Sequence, residues 1–156
     1  MKKYLSIFLT LMIIIVTTSC SSNKLDTTWE CDYLKIAKCS KWEEESEIDG
    51  NHVDIKWELD DESINTISLY LGKSISGKES QSDLQEFYER LNEKYEGEYE
   101  IFDNFVKNGQ AYVITGSKDS ARRTVHFSTE KVKGNFYYSA EDEELVMKMI
   151  DSIEFY

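Results

Sequence analysis

The sequence predicts one α+β domain, built on an antiparallel β-sheet with two helices and preceded by an N-terminal leader. Three observations support this prediction. Glycine-containing turns separate pairs of short segments rich in β-formers, as in β-hairpins. Two later segments carry apolar residues at helical spacing. The leader combines a cationic start with an apolar run, which is the pattern of an export signal.

The leader begins with Met1-Lys2-Lys3 and continues as an apolar run from Leu5 to Val16. A membrane-spanning helix needs roughly 20 predominantly apolar residues, so this run is short for a span. Small residues follow it and end at Cys20. We therefore expect residues 1–19 to be a signal peptide that is removed after export.

The placement of Cys20 resembles the lipobox of bacterial lipoproteins, in which a small residue precedes a cysteine that is acylated and becomes the new N-terminus. Thr18 and Ser19 fit this pattern, whereas Thr17 stands where Leu, Val or Ile is usual. The resemblance implies palmitate on Cys20. It also implies an exported chain that its lipid holds at the outer face of the bacterial cell membrane, as part of the cell envelope.

The composition suits a single folded domain behind a short tether. Residues 20–28 comprise the lipidated cysteine and a small, polar tether, and residues 29–156 comprise one globular domain. The chain has a formal net charge of −12, which becomes −14 when Lys2 and Lys3 leave with the signal peptide. Such an excess of negative charge repels phosphate, so we expect no nucleic-acid partner.

The first half of the domain reads as strands. Trp42–Ile48 and Val53–Leu59 flank an Asp-Gly turn, and the second segment alternates cleanly between apolar and charged residues. After a turn over Asp60–Ser63, a further strand includes Ile67, Leu69 and Leu71.

The second half adds the helices and two more hairpins. Ser82 and Gln85 form a predicted capping box before a helix that closes near Gly97. Ser139 and Asp142 form a second predicted capping box, before a C-terminal helix. The apolar stripes are Leu84, Phe87, Tyr88, Leu91 and Tyr95 in the first helix, and Leu145, Val146, Met149, Ile150 and Ile153 in the second. The predicted hairpins join segments 99–107 with 110–116 and 122–130 with 135–140.

This order of elements is similar to that of the PsbP-like α/β/α sandwich. Trp42 matches the early tryptophan of that family, and Ser152–Phe155 matches the Ser-Ile/Phe ending of its closing helix. The family includes photosystem assembly factors and bacterial lipoproteins without known activity, so the resemblance implies a fold and no catalytic residue. A cystatin-like α+β sheet is the alternative.

Cys31 and Cys39 form an even pair in an exported segment, which makes a disulfide one reading. Bridged Cα atoms lie about 4.4 to 6.8 Å apart, whereas eight residues of strand extend roughly 26 Å. Either the segment 32–38 turns back and the bridge forms, or the segment is a strand and both thiols remain unbridged.

Catalytic motifs are weak in this sequence. Gly72–Lys78 nearly spells a phosphate-binding loop, but Glu79 stands where magnesium binding requires Ser or Thr, so we expect an ordinary loop. His52 lies in a predicted turn, and His126 faces away from Val125 and Phe127; we expect both on the surface. We therefore assign no catalytic residue and no cofactor.

Acidic clusters and aromatic strands are the remaining leads. The acidic clusters are Glu43–Glu45, Asp60–Glu62 and Glu141–Glu144. None has the loop spacing of a calcium site, so we expect no bound metal. Tyr112, Phe127, Phe136, Tyr137 and Tyr138 lie on neighbouring strands, where they form either core or a binding face. The exposure of Tyr137 separates these alternatives.

The sequence thus favours a membrane-anchored lipoprotein whose domain is a binding or interaction module for a protein or a small molecule. The alternative is an extracytoplasmic enzyme with an unrecognised acidic site.

Overall fold

The computed structural model describes residues 24–59, 66–94 and 97–156. Ten strands and two α-helices are present in these ranges. The strands are β1 (Thr27–Glu30), β2 (Leu34–Lys38), β3 (Glu43–Asp49), β4 (His52–Glu58), β5 (Thr66–Lys73), β6 (Tyr99–Lys107), β7 (Gln110–Ser117), β8 (Arg122–Ser128), β9 (Val132–Ser139) and β10 (Glu154–Phe155). The helices are α1 (Gln81–Lys94) and α2 (Glu143–Asp151), and a 3-10 turn (Ala140–Asp142) precedes α2.

Seven strands form the main sheet in the order β3-β4-β5-β9-β8-β7-β6, and each neighbouring pair in it is antiparallel. The predicted tight turns close two of its hairpins. Gly50 has a φ of +57°, and Asn108 and Gly109 have φ values of +50° and +74°. Glycine adopts a positive φ without steric cost, which explains why the Asp-Gly and Asn-Gly signals locate both turns correctly.

Alternation along β7 distinguishes the two faces of the main sheet. Tyr112 and Ile114 pack into the large core, whereas Ala111 and Val113 pack into a smaller cluster with Leu84 of α1. Successive side chains of a strand point to opposite faces. We call the side that carries Tyr112 the core face and the side that carries Val113 the outer face.

The core face is covered by α2 and by a second sheet with the strand order β1-β2-β10. Val146, Met149 and Ile150 of α2 are fully buried in this core. Trp29 of β1 meets Trp57 of β4 edge to face, with ring centroids 6.1 Å apart. The two sheets and α2 therefore share one hydrophobic core.

The architecture confirms the α+β prediction, with antiparallel sheets and two helices. Because α1 contacts the outer face and α2 the core face, the helices lie on opposite sides of the main sheet. Neither helix in the described ranges is long and apolar enough to cross a bilayer. The predicted turn over Asp60–Ser63 and the last position of the first helical stripe, Tyr95, lie outside the described residues.

The folded part begins earlier than the predicted boundary at Trp29. Asp26 accepts hydrogen bonds from the backbone N–H and the hydroxyl of Ser40, and Thr27 and Thr28 belong to β1. Residues 26–28, at the end of the expected tether, are thus held in the small sheet.

Both predicted capping boxes are wrong. At α1 the Ser80 N–H donates to Asp83 Oδ2 at 3.0 Å, and the Asp83 N–H donates to Ser80 Oγ at 3.2 Å. This reciprocal pair lies two residues before Ser82 and Gln85. Before α2, Ser139 makes no side-chain cap hydrogen bond, because the chain enters that helix through the 3-10 turn.

Candidate ligand-binding cleft on the outer sheet face

Cross-strand pairing arranges the outer face as rows of side chains. One row is formed by Ser68, Tyr137, Thr124 and Thr115, which oppose one another on β5, β9, β8 and β7. The next row is formed by Tyr70, Asn135, His126 and Val113 on the same strands. Directly opposed residues in a sheet have Cβ atoms about 4.5 to 5.5 Å apart, so each row is a continuous strip of contacts.

Helix α1 covers only one end of these rows, because it contacts β6 and β7. Leu84 is its buried anchor against Ala111 and Val113. Gln81 and Gln85 add hydrogen bonds to Asn104 of β6. Helix α1 does not cover strands β5 and β9. Their side chains on the outer face form the open wall of a cleft.

Tyr88 of α1 forms the edge of the helix over this cleft. Its ring lies over the imidazole of His126, with centroids 4.0 Å apart and planes inclined by 32°. The Tyr88 ring also meets Phe87 edge to face, with centroids 5.0 Å apart. The Tyr88–His126 stack thus joins the helix to the middle of the sheet.

The imidazole of His126 is hydrogen-bonded at both nitrogens. Nδ1 lies 2.7 Å from the carbonyl oxygen of the Asn135 side chain, and Nε2 lies 2.7 Å from the hydroxyl of Thr115. A carbonyl oxygen only accepts, so Nδ1–H donates to Asn135 and the neutral ring accepts the Thr115 proton at Nε2. The imidazole is therefore held in one tautomer and one orientation.

Burial lowers the pKa of His126 to about 4, and the hydrogen bond to Asn135 only partly offsets this effect. Removal from water disfavours the charged imidazolium, so the ring is neutral at pH 7. Burial also raises the pKa of the Tyr88 phenol, and the Tyr137 phenol and Glu79 add to that increase. Both stacked rings are thus uncharged over the physiological range.

A cavity of about 310 Å³ opens between α1 and the sheet. Its lining is mostly apolar and consists of Tyr88, Leu91, Asn92, Tyr99, Glu100, Ile101, Thr115, Thr124, His126 and Tyr137. Glu100, the charged residue of this lining, lies opposite Gly116 on the edge strand β6. We call this space the tyrosine cleft, after Tyr88, Tyr99 and Tyr137.

Two further cavities continue the tyrosine cleft in both directions. One of about 390 Å³ shares Tyr88 and His126 with it and extends towards His52, Tyr70 and Lys133. The other, of about 480 Å³, shares Thr124 and Tyr137 with it and extends towards Ser68 and Arg122. The outer face therefore carries a row of three adjoining hollows.

The predicted aromatic residues divide between the two faces. Tyr112, Phe127, Phe136 and Tyr138 are core residues, whereas Tyr137 is 45% exposed in the cleft. Of the two histidines expected on the surface, His126 is half-buried, stacked on Tyr88 and hydrogen-bonded at both nitrogens. His52 is exposed, and its Nδ1 lies 2.6 Å from the Tyr70 hydroxyl.

Cys31 and Cys39 are not joined by a disulfide, and the structure follows the second reading of this segment. Leu34–Lys38 is strand β2, paired with β1, so the two sulfurs lie at opposite ends of a hairpin. Cys20, the predicted lipidation site, lies outside the described residues.

Among the described residues, the acidic cluster Glu43–Glu45 and the glycine-rich loop do not join the cleft's centre. Glu43–Glu45 lie on the exposed edge strand β3, and Asp60–Glu62 lie outside the described residues. Across the described ranges, no group of three His, Cys, Asp or Glu side chains is placed to hold a metal. In the loop before α1, the hydroxyls of Ser74 and Ser128 donate to the carbonyl of Gly77.

Sequence reasoning missed the partners of Tyr137 in the cleft. Tyr88 was predicted as part of the helix stripe, and Thr115, Thr124 and Asn135 were not selected. The sequence carries no direct signal for these partners, because the register that places Asn135 opposite His126 and Tyr137 opposite Thr124 is set by strand pairing. No known family model matches the chain, and no curated protein resembles it significantly.

Proposed function

We propose that this chain is a lipid-anchored binding protein at the outer face of a bacterial cell membrane, and that its ligand occupies the tyrosine cleft. The observation that carries the proposal is the cavity of about 310 Å³ between α1 and the sheet. Ligand pockets combine mostly apolar walls with a few oriented polar groups, and this cavity has that composition. Its volume is at the small end of the usual range, about 300 to 1,000 Å³.

The anchoring half of the proposal rests on the leader and on Cys20. Five residues separate Cys20 from Asp26, the first residue seen to bond into the small sheet. Six fully extended steps span at most roughly 20 Å. The lipid would therefore keep the domain close to the membrane surface, where its ligand or partner must also be accessible.

Replacing Cys20 by Ala tests the anchor. We expect the C20A chain to leave the membrane fraction and to take up no labelled palmitate, because the acylated thiol is gone. Cys31→Ala is the matched control, and it should stay in the membrane fraction with its label. Retention of the C20A chain in membranes, with no fatty acid on the wild-type N-terminus, would exclude lipid anchoring.

For the fold, we propose a PsbP-like α/β/α sandwich. The placement of α1 on the outer face and α2 on the core face supports it. An experimental structure of the full chain tests this choice, because a main sheet with both helices on one face would exclude the sandwich.

The alternative, an extracytoplasmic enzyme with an acidic site, has less support. The hydrogen-bonded series Thr115–His126–Asn135 resembles a nucleophile, a base and an orienting group in outline. A general base works best with a pKa near the working pH, and the pKa of His126 is about 4. Thr115 is also only 6% exposed in a strand paired on both sides. We therefore favour binding over catalysis.

A further inference from the structure

The geometry of the tyrosine cleft points to an uncharged carbohydrate, bound as a short chain of sugar rings, as its ligand. This inference rests on the proposed binding function and specifies its ligand class. It is carried by exposed aromatic faces, by hydroxyl groups that have no partner among the described residues, and by a lining in which Glu100 is the one charged side chain among those residues.

The aromatic rings offer flat apolar surfaces at the cleft. Tyr137 and Tyr99 are each 45% exposed, although tyrosine rings on strands usually pack into a core. A pyranose ring has an apolar face formed by its C–H groups and a polar rim of hydroxyls. An exposed tyrosine ring matches that face and has its own hydroxyl for the rim.

Three hydroxyl groups lie ready for hydrogen bonds with a ligand. Among the described residues, the hydroxyls of Tyr88, Tyr137 and Thr124 have no hydrogen-bond partner, and all three residues line the cavity. A purely apolar ligand would remove water from these groups and leave them unsatisfied, which is costly. A ligand with several hydroxyls would satisfy them.

Most charged side chains lie at the two ends of the row of hollows. Lys133 and Glu79 line the hollow beyond Tyr88, and Arg122 lines the hollow beyond Tyr137. Among the described residues that line the centre, Glu100 on the edge strand β6 is the one charged side chain, and His126 is uncharged at pH 7. An anionic group in the centre would lose its hydration without gaining a counter-charge.

The flanking hollows indicate a chain of rings instead of one ring. They adjoin the tyrosine cleft on both sides and contribute further neutral hydrogen-bonding groups. Asn135 and Tyr70 lie on one side, and Ser68 and Ser139 lie on the other. A glycan lying along the row would place one ring on Tyr137 and its neighbours in the flanking hollows.

An array of neutral and anionic glycans, probed with the full chain in detergent, tests the inference. Calorimetry on the strongest hit then gives its affinity. We expect neutral oligosaccharides to bind better than their monosaccharides. Tyr137→Ala should weaken binding at least tenfold through loss of the ring. Tyr137→Phe should weaken it about threefold to tenfold through loss of one hydrogen bond. Tyr156→Ala removes a tyrosine of similar exposure outside the cleft and should leave the affinity unchanged.

The contrary outcomes separate this inference from the proposed function. If no neutral glycan binds, but an uncharged aromatic probe such as p-cresol shifts the NMR signals of Thr124 and Tyr137, the carbohydrate assignment is wrong and the binding cleft stands. A tyrosine-rich peptide that shifts these signals in the absence of glycan binding would lead to the same conclusion. If glycans, p-cresol and peptide all leave these signals unchanged, the cleft is not a binding site and both proposals fail.

Discussion

At His126, two hydrogen bonds and one stacked ring determine how a titratable side chain behaves. The ring is placed between Thr115 and Asn135 and lies under Tyr88, so its charged form is poorly solvated. It serves as a neutral hydrogen-bonding link between strands β7, β8 and β9. Because protonation of His126 costs free energy in the folded state, the free energy of unfolding must depend on pH.

We expect stability to fall as the pH is lowered from 6.5 to 4, partly through His126. Its pKa is about 4 when folded and 6.5 when unfolded, so the unfolded chain binds more protons in this window. The stabilisation that neutral His126 gives the folded state is fully present above pH 6.5. About 2 to 3 kcal/mol of it is lost by pH 4. Urea unfolding of wild type and His126→Gln at several pH values measures it, and the variant should have the flatter profile.

The other histidine provides the control for this measurement. His52→Gln leaves His126 in place and should keep the wild-type slope between pH 6.5 and 4. NMR titration of the His126 ring gives the folded pKa directly. A midpoint near 6.5, or equal slopes for wild type and His126→Gln, would contradict this account.

Gly134 explains why the sequence predicts the start of one strand too late. The pattern predicts a loop over 131–134 and a strand from residue 135, whereas β9 begins at Val132. A Cβ on Gly134 would lie 2.2 Å from the Phe127 ring, so that ring occupies the space of a side chain. Glycine in a strand often marks such a close approach, but its partner lies on another strand.

At the scale of elements, α1 is attached to the main sheet through a narrow apolar contact. Leu84 is its buried residue, and Phe87, predicted to pack inward, is 46% exposed. The helix thus depends on its termini and on hydrogen bonds to β6 more than on a wide apolar face. This matters for function, because α1 forms one wall of the tyrosine cleft.

The capping pair of α1 leads to a prediction. Ser80→Ala should destabilise the chain by about 1 kcal/mol, because it removes the side-chain acceptor for the Asp83 N–H. Ser82→Ala is the matched control, and it should change stability by no more than about 0.5 kcal/mol. Urea unfolding followed by circular dichroism measures both. Equal losses for the two variants would contradict the observed position of the cap.

At the scale of the whole molecule, the two sheets behave as one unit because they share a core. Trp29 of the small sheet is 9% exposed and packs on the fully buried Trp57 of the main sheet. Phe155 of β10 similarly meets Phe127 of β8, with centroids 5.5 Å apart. These contacts join both ends of the folded part to its centre.

We therefore expect Trp29→Ala to destabilise the whole domain by about 3 kcal/mol, since it leaves a large cavity between the sheets. Unfolding should remain a single transition, with the same midpoint by fluorescence and circular dichroism. Ile75→Ala, at a side chain 92% exposed, is the control and should change stability little. A variant whose small sheet unfolds separately would contradict a shared core.

Local patterns by themselves determined much of this protein. Asp-Gly and Asn-Gly located the hairpins of β3–β4 and β6–β7, because the preference of glycine for positive φ is a property of the residue itself. Period-two alternation identified the buried residues of β4, and helical spacing identified the buried stripe of α2. The class of fold followed from these elements, since each must bury its apolar side.

The candidate site was decided only by tertiary structure. The order of strands β5, β9, β8 and β7 places Tyr137, Thr124 and Thr115 in one row, although their positions in the sequence do not indicate it. The docking of α1 over β6 and β7 then encloses Tyr88 with His126 and leaves Tyr137 exposed. Alternation shows which face a residue takes within its own strand, whereas its neighbours on that face depend on long-range pairing.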